Sequence, residues 1–145
     1  MKIEPWMKHP VVTVKPGDSA LHAREVMEKL RINQLPVVVD GRLTGIVTDR
    51  DLRDVFPSVA EAASSRSRRG PVGTDPAAIP VEDVMASPAL TLSPGSYLAD
   101  AARLMRRERI GAVPIVDGAR LVGIVTRSDV LDAFVELCAN VLPKG

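Results

Sequence analysis

At two points in the sequence a hydroxyl and a carboxylate lie three residues apart, each time directly after an apolar run. Thr48 precedes Asp51, and Thr126 precedes Asp129. A carboxylate can accept two hydrogen bonds from a ribose diol, and a threonine hydroxyl can bond a ribose or phosphate oxygen. The same spacing is close to that of a capping box, in which the threonine caps a helix and the carboxylate reaches back to its amide. The spacing leaves both interpretations open, and the two roles are compatible.

The composition excludes several other kinds of chemistry. The 145 residues are 46% hydrophobic and 26% charged with a net charge of +1, which is typical of one soluble globular unit. Such a charge balance gives no general attraction for nucleic acid or a membrane surface. One cysteine and two histidines are too few for an internal disulfide or a zinc cluster. We therefore expect no metal, no nucleic acid and no membrane partner.

Catalysis and export are not indicated either. The sequence contains no phosphate-binding loop and no recognisable pairing of a nucleophile with a base, so we expect no catalytic residue and no enzyme activity. No apolar run approaches the length of a membrane helix, and residues 1–5 lack the apolar core of a signal peptide. These features predict a cytoplasmic protein.

The chain is internally duplicated. At an offset of 78 residues Met7 aligns with Met85, and the Gly-Ile-Val-Thr run at 45–48 aligns with the run at 123–126. About twenty of fifty positions match in this single register, which predicts two copies of one unit. We assign residues 1–64 to the first copy, 65–80 to a linker and 81–145 to the second copy.

Each copy is predicted to contain a strand, a helix, two strands and a helix. Val11–Val14 is a short β-branched run, and Ala20, Ala23, Met27 and Leu30 recur at helical spacing. Two apolar runs then flank Asp40-Gly41, a hairpin signal, and the second copy has a displaced turn at 117–119. The last helix follows Thr48 or Thr126 and is longer in the second copy. Residues 60–80 suggest a helical tail and a mobile linker, in which the run 65–69 is either solvated or a phosphate-binding patch.

The Gly-Ile-Val-Thr-x-x-Asp element resembles the signature of the cystathionine β-synthase (CBS) domain. Each copy also has the Met-x-x-Pro opening, at Met7 and Met85, followed by a hairpin led by Leu35-Pro36 or Val113-Pro114, in the order of that family. The resemblance implies an α/β fold of two tandem β-α-β-β-α repeats packed about a pseudo-twofold axis, a Bateman module. It further implies a stand-alone regulatory protein whose clefts bind AMP, ADP, ATP or S-adenosylmethionine, with no required cofactor.

The resemblance also implies two shared ligand sites, because in the family the Thr and Asp of one repeat face the first strand and pre-hairpin segment of the other. Carried over by position, one site combines Ile46, Thr48, Arg50 and Asp51 with Leu90, Ile110, Gly111 and Ala112. The other combines Ile124, Thr126, Ser128 and Asp129 with Val12, Ile32, Asn33 and Gln34.

The two predicted sites differ in charge and size. Arg50 is a fixed cation where the other site has only the Ser128 hydroxyl, so we expect the Asp51 site to tolerate more phosphate charge. Asn33 and Gln34 are bulkier than their counterparts, which predicts a narrower or more selective second site. As plain alternatives, Arg50 is a solvated helix residue and Asn33 and Gln34 are loop polar groups.

The remaining candidates favour structural roles. His9 and His22 have no catalytic partner at a recognisable spacing, and Arg103, Arg106 and Arg107 fit a solvated helix face better than a phosphate site. Trp6 is predicted to anchor the N-terminal segment, and Cys138 to be a small buried hydrophobe. Cys138 lies on an apolar stripe from Val130 to Leu142. The family resemblance implies a homodimer, and this stripe is long enough to contribute to its interface.

The leading hypothesis is a sensor that binds an adenosine-containing ligand between its repeats and passes the ligand's presence to a protein partner. The alternative is a ligand-free structural or oligomerisation adaptor, in which the Thr-x-x-Asp elements only cap helices.

Overall fold

The computed structural model describes residues 1–56 and 75–141. The arginine-rich run at 65–69, most of the predicted linker and Leu142 lie outside these ranges. Two compact units are present. The first-repeat unit comprises Val12–Ala89, and the second-repeat unit comprises Met1–Val11 together with Leu90–Gly145. The units therefore cut across the predicted repeat ranges, because each takes in the segment that leads into the other repeat.

The first-repeat unit is built from two helices and a hairpin. Helix α1 spans Ala20–Leu30, strands β1 and β2 span Gln34–Val39 and Arg42–Thr48, and helix α2 spans Asp49–Arg53. The Ser19 hydroxyl accepts a hydrogen bond from the His22 amide at 3.0 Å, which caps α1 as its sequence predicts. A 3₁₀ turn follows at Val81–Asp83.

The second-repeat unit repeats this order. Helix α3 spans Leu98–Glu108, strands β3 and β4 span Ala112–Asp117 and Arg120–Thr126, and helix α4 spans Arg127–Val141. The α/β class, the helix positions and the longer final helix are confirmed. α1 buries three of the four residues predicted at helical spacing and leaves the fourth, Leu30, 46% exposed. α3 buries Leu98, Ala101 and Met105.

The two hairpins have the same strand register but differ in the conformation of the turn. In both, the first strand pairs antiparallel with the second, and a bulge follows Val37 or Ile115. Asp40 and Gly41 both have positive φ, whereas the turn of the second hairpin has its positive φ at Gly118. The predicted difference in turn type is confirmed, because only the first turn has two left-handed residues.

The prediction that each copy begins with an extended strand is wrong. Only Val14 pairs with β1, donating its amide to the Pro36 carbonyl and accepting from the Val38 amide. In a parallel ladder the next hydrogen bonds on either side would need amide hydrogens at Pro16 and Pro36, which proline lacks. Leu92 forms the matching bridge in the second-repeat unit, where Pro94 and Pro114 limit the ladder in the same way. Each strand is thereby reduced to one bridge.

A lead-in segment precedes each copy, residues 1–11 before the first and residues 79–89 before the second. Each lead-in segment packs against the helices and strands of the other copy. In the second-repeat unit Ile3 is fully buried and donates its amide to the Ser96 carbonyl at 2.9 Å. In the first-repeat unit the equivalent residue, Val81, is fully buried and donates to the Asp18 carbonyl at 2.7 Å. Trp6 packs against the second-repeat core, as predicted for an anchor.

The end of the predicted linker is also packed. The amide of Ala20 donates to the carbonyl of Ile79 at 2.8 Å, and the amide of Leu21 donates to that of Pro76 at 3.2 Å. Residues 75–80 therefore accept backbone hydrogen bonds from the first turn of α1.

The lead-in segments can approach β2 and β4 because both strands carry a glycine at the crossing point. A Cβ added to Gly45 would lie 2.7 Å from the Ala86 carbonyl oxygen and 2.7 Å from Met85 Sδ. A Cβ at Gly123 would lie 2.5 Å from Met7 Sδ. In each unit the repeated methionine therefore packs directly against the repeated glycine.

We expect Gly45→Ala to lower the free energy of unfolding by about 1–3 kcal/mol, because the backbone at Ala86 would have to move. Urea denaturation measures this difference. Gly17→Ala is the matched control, since a Cβ there meets no atom within 4 Å; its effect should stay within about 0.5 kcal/mol. Equal stability of the two variants would contradict the close contact.

Candidate functional site

The first Thr-x-x-Asp turn forms at the junction of β2 and α2. The Thr48 amide and hydroxyl donate to Asp51 Oδ2 at 2.8 and 3.0 Å, and the Asp51 amide donates to Thr48 Oγ1 at 3.3 Å. This is a capping box, so the structural interpretation of the spacing is correct. It occupies one carboxylate oxygen of Asp51, and among the described residues Oδ1 has no hydrogen-bond or ion-pair partner.

The second turn joins β4 to α4 and carries an additional cation. The Thr126 amide and hydroxyl donate to Asp129 Oδ2 at 2.7 and 3.1 Å. Lys8 Nζ lies 3.0 Å from Asp129 Oδ1 and donates to Thr126 Oγ1 at 3.1 Å. Asp129 is 7% exposed and is the one buried charged residue in the described part of the chain. Both oxygens of this buried carboxylate are therefore in use.

Sequence reasoning missed Lys8. Its only signal was its place in the Met-x-x-Pro opening, where the second copy has Ala86. A lysine at that position becomes meaningful once the lead-in segment is known to cross β4, because the crossing puts residue 8 beside Ile124, two residues before Thr126.

The pre-hairpin segments lie beside the turn of their own copy. The Asp49 amide donates to the Asn33 carbonyl at 2.9 Å, and Gln34 pairs with Thr48 in the hairpin register. The second copy repeats this arrangement around Gly111 and Ala112, through the Arg127 amide. The structure thus brings each segment to the turn of the same repeat. Their predicted membership of the other repeat's site stays a prediction.

Arg127 is a second cation that sequence reasoning missed. Its guanidinium carbon lies 3.7 Å from the position of a Cβ at Gly111. Arg127 aligns with Asp49 of the first copy, so the two turns differ in charge at this position as well as at position 8.

The other predicted site residues vary in exposure. Arg50 and Ser128 are exposed and make no side-chain hydrogen bond to the described residues. Val12 and Leu90 are 44% and 43% exposed. The four isoleucines divide by burial: Ile124 is buried, and Ile32, Ile46 and Ile110 are half-buried.

A surface cavity of about 440 Å³ lies in the first-repeat unit between α1 and α2. It shares Ile32 and Asn33 with the predicted ligand set, but neither Thr48 nor Asp51 lines it. Arg24 spans its wall, with its guanidinium 4.5 Å from the Phe56 ring centre and 3.0 Å from Glu28 Oε1. We place the candidate site at the Thr-x-x-Asp turn, where the free carboxylate oxygen is, rather than in this cavity.

The remaining candidates fit structural roles. His9 and His22 are exposed, and Arg103 and Arg107 pair with Asp100 and Glu108 at the surface. The expectation that Cys138 is buried is wrong, because this free thiol is only half-buried on α4.

Two absences hold for the described ranges 1–56 and 75–141. There, His, Cys, Asp and Glu side chains form no cluster of three or more that could hold a metal ion. No helix in those ranges has the length and apolar character to cross a bilayer.

Comparisons with known proteins agree with this architecture. The model of the CBS domain family matches residues 3–58 and 81–136. The CBS domain-containing protein YhcV of Bacillus subtilis is 32% identical over 127 residues, which cover 88% of this chain and 81% of YhcV.

Two solved structures are similar over nearly their whole length. CBSX2 from Arabidopsis thaliana, in its complex with AMP, has a TM-score of 0.76 and 27% identity, covering 94% of this chain and 97% of CBSX2. The CBS domain pair of protein MJ0100, in complex with 5-methylthioadenosine and S-adenosyl-L-methionine, has a TM-score of 0.73 and 26% identity, covering 94% and 98%.

Two copies of one α/β repeat, each with a Thr-x-x-Asp turn between its last strand and its last helix, form a pair of CBS domains. The chain belongs to the CBS domain family.

The capping role of Thr48 gives a stability prediction. Thr48→Ala removes the acceptor of the Asp51 amide and one donor to its carboxylate, so we expect a loss of about 1 kcal/mol in the free energy of unfolding. Chemical denaturation measures it, with Thr13→Ala as control, since Thr13 is exposed and its hydroxyl bonds no described residue. An unchanged stability of Thr48→Ala would show that the box contributes little to α2.

Proposed function

We propose that this protein is a sensor that binds an adenosine-containing ligand through the Thr-x-x-Asp turn at Asp51 and transmits the bound state to a partner. The observation that carries the proposal is the Asp51 carboxylate. It is held in a fixed orientation through Oδ2, while Oδ1 keeps its acceptor positions free among the described residues. A carboxylate oriented in this way can accept hydrogen bonds from the two hydroxyls of a ribose.

The similar proteins support the ligand class. CBSX2 was crystallised with AMP, and the MJ0100 pair with 5-methylthioadenosine and S-adenosyl-L-methionine. These ligands share adenine and a ribose ring with its diol and differ in the group at the 5′ position, which is anionic in AMP and carries a sulfonium in S-adenosylmethionine. The shared part includes the ribose diol that a carboxylate recognises. The 5′ group would then set selectivity, and the exposed Arg50 favours phosphate at the Asp51 turn.

Signalling would follow from a shift in population. A ligand that binds one conformation of the pair more tightly stabilises that conformation by the difference in its affinities.

Thermal unfolding with and without AMP tests this function. At a hundredfold excess over the dissociation constant, a ligand specific for the folded state adds about 2.7 kcal/mol to stability. We expect AMP to raise the unfolding midpoint, and Asp51→Ala to remove that rise. S-adenosylmethionine and ATP in parallel samples rank the 5′ groups.

Asp54→Ala is the control for this test, because Asp54 is exposed at the end of the same helix and makes no side-chain hydrogen bond to a described residue. It should leave the AMP-induced rise intact. If no adenosine ligand shifts the midpoint, the sensor is refuted. The Thr-x-x-Asp turns then act only as helix caps, as in the structural adaptor.

We also propose that two copies associate through the apolar face of α4. Phe134 and Val135 are 62% and 66% exposed, and Leu131 and Val141 are exposed to a similar extent. A contiguous patch of large apolar side chains is unusual on a monomer and typical of an interface. We propose that a second copy of the chain covers this patch.

Light scattering behind size-exclusion chromatography checks the association. The wild type should elute with the mass of a dimer, and Phe134→Glu should shift it to the monomer, because a buried unpaired carboxylate opposes association. Glu136→Gln, on the same helix, should leave the mass unchanged. A monomeric wild type at concentrations of about 100 µM would contradict the proposed interface, since even weak specific dimers form in the micromolar range.

A further inference from the structure

The lead-in segments carry different side chains to equivalent positions beside the two turns. Lys8 and Ile124 exchange two backbone hydrogen bonds, of 2.8 and 3.1 Å. Ala86 and Ile46 exchange the same pair in the first-repeat unit, of 2.8 and 3.0 Å. The backbone contact is therefore the same in both units, but the side chain at this position differs. An ammonium group lies at the Asp129 turn where the Asp51 turn has a methyl group.

The two carboxylates consequently differ in what they can still accept. A carboxylate offers about four acceptor positions, two on each oxygen. In both turns the threonine amide and hydroxyl take the two positions on Oδ2. Lys8 Nζ, at 3.0 Å, takes a position on Oδ1 of Asp129, whereas Oδ1 of Asp51 keeps both positions with respect to the described residues.

Burial adds to this difference. The Asp129 side chain is 9% exposed, while that of Lys8 is 55% exposed. A ribose diol that uses both acceptor positions on Oδ1 of Asp129 has to displace a cation from a carboxylate that is almost inaccessible to solvent, and the carboxylate would lose its neutralising charge in the process. No such displacement is needed at Asp51.

We propose that Lys8 closes the Asp129 turn to a ribose diol and confines the adenosine ligand to the Asp51 turn. The ammonium donates to the carboxylate and to the Thr126 hydroxyl, the same two groups that a ribose would use. Lys8 is thus a specificity-determining residue, because its ammonium occupies the place that a ribose would take at the Asp129 turn. This inference rests on the proposed function, because it concerns which turn takes the ligand.

A different role for Lys8 predicts the opposite effect. If its ammonium recruited a phosphate to the second turn, removing it would weaken AMP binding and leave adenosine unaffected. Closure of the turn instead predicts that removing Lys8 adds a binding event for AMP and adenosine alike, since both carry the diol.

Isothermal titration of the full chain with AMP, and separately with adenosine, tests the inference. We expect the wild type to bind a single ligand per chain, with binding abolished by Asp51→Ala and unchanged by Asp129→Ala. Lys8→Ala should bind a second ligand, which the double variant Lys8→Ala/Asp129→Ala should lose again. Ala86→Lys, which installs the cation beside Asp51, should weaken wild-type binding by at least about tenfold.

Lys8→Met serves as the second variant, because it keeps the aliphatic stem and removes only the charge. It should behave as Lys8→Ala does, and circular dichroism verifies that each variant is folded.

The outcomes separate this inference from the proposed function. A wild type that binds two ligands, one of them lost in Asp129→Ala, overturns the closure by Lys8 and leaves the sensor intact. Folded Lys8→Ala and Lys8→Met proteins that still bind one ligand also overturn it. Absence of binding in the wild type and in both Lys8 variants overturns the sensor, and the closure with it.

Discussion

The architecture depends on the close approach of two lead-in segments to two glycines. Gly45 is buried beneath Met85 and Ala86, and Gly123 lies against Met7. Because a β-carbon at either glycine would overlap the crossing segment, a strand with any other residue there would push the segment away. The segments in turn bury Ile3 and Val81 in the cores of the two units. Each repeat is thus completed by residues that precede the other repeat in the chain.

This exchange also determines how the turns differ chemically. The crossing segment runs antiparallel to the end of β2 or β4, so its side chains reach the turn that follows the strand. A single position of that segment, Lys8 in one case and Ala86 in the other, decides whether the carboxylate is paired. The backbone hydrogen bonds are the same in both units, whereas the side chains at positions 8 and 86, together with those at 49 and 127, make the two turns unequal.

The Thr-x-x-Asp turn has a structural role and leaves room for a second one. In the first copy Asp51 closes a capping box with one oxygen, which fixes the direction of the other. The cap therefore pre-organises the carboxylate, and a ligand would not need to order it. The two interpretations of this motif are compatible for a geometric reason, since they use different atoms of the same side chain.

The sequence by itself determined the features that local patterns encode. Helical spacing located α1 and α3, Asp40-Gly41 located the first hairpin, and the repeated Gly-Ile-Val-Thr-x-x-Asp element indicated the family. The sequence pattern overestimated the first strands, because prolines in the segment and in the partner strand, such as Pro16 and Pro36, lack the amide hydrogens that a longer ladder needs.

The tertiary structure alone decided the exchange of the lead-in segments and the pairing of Lys8 with the second turn. Lys8 and Thr126 are 118 residues apart in the chain, and periodicity and turn signals extend only over neighbouring residues. Such a contact exists because the folded backbone brings distant strands together, and no local pattern in the sequence records it.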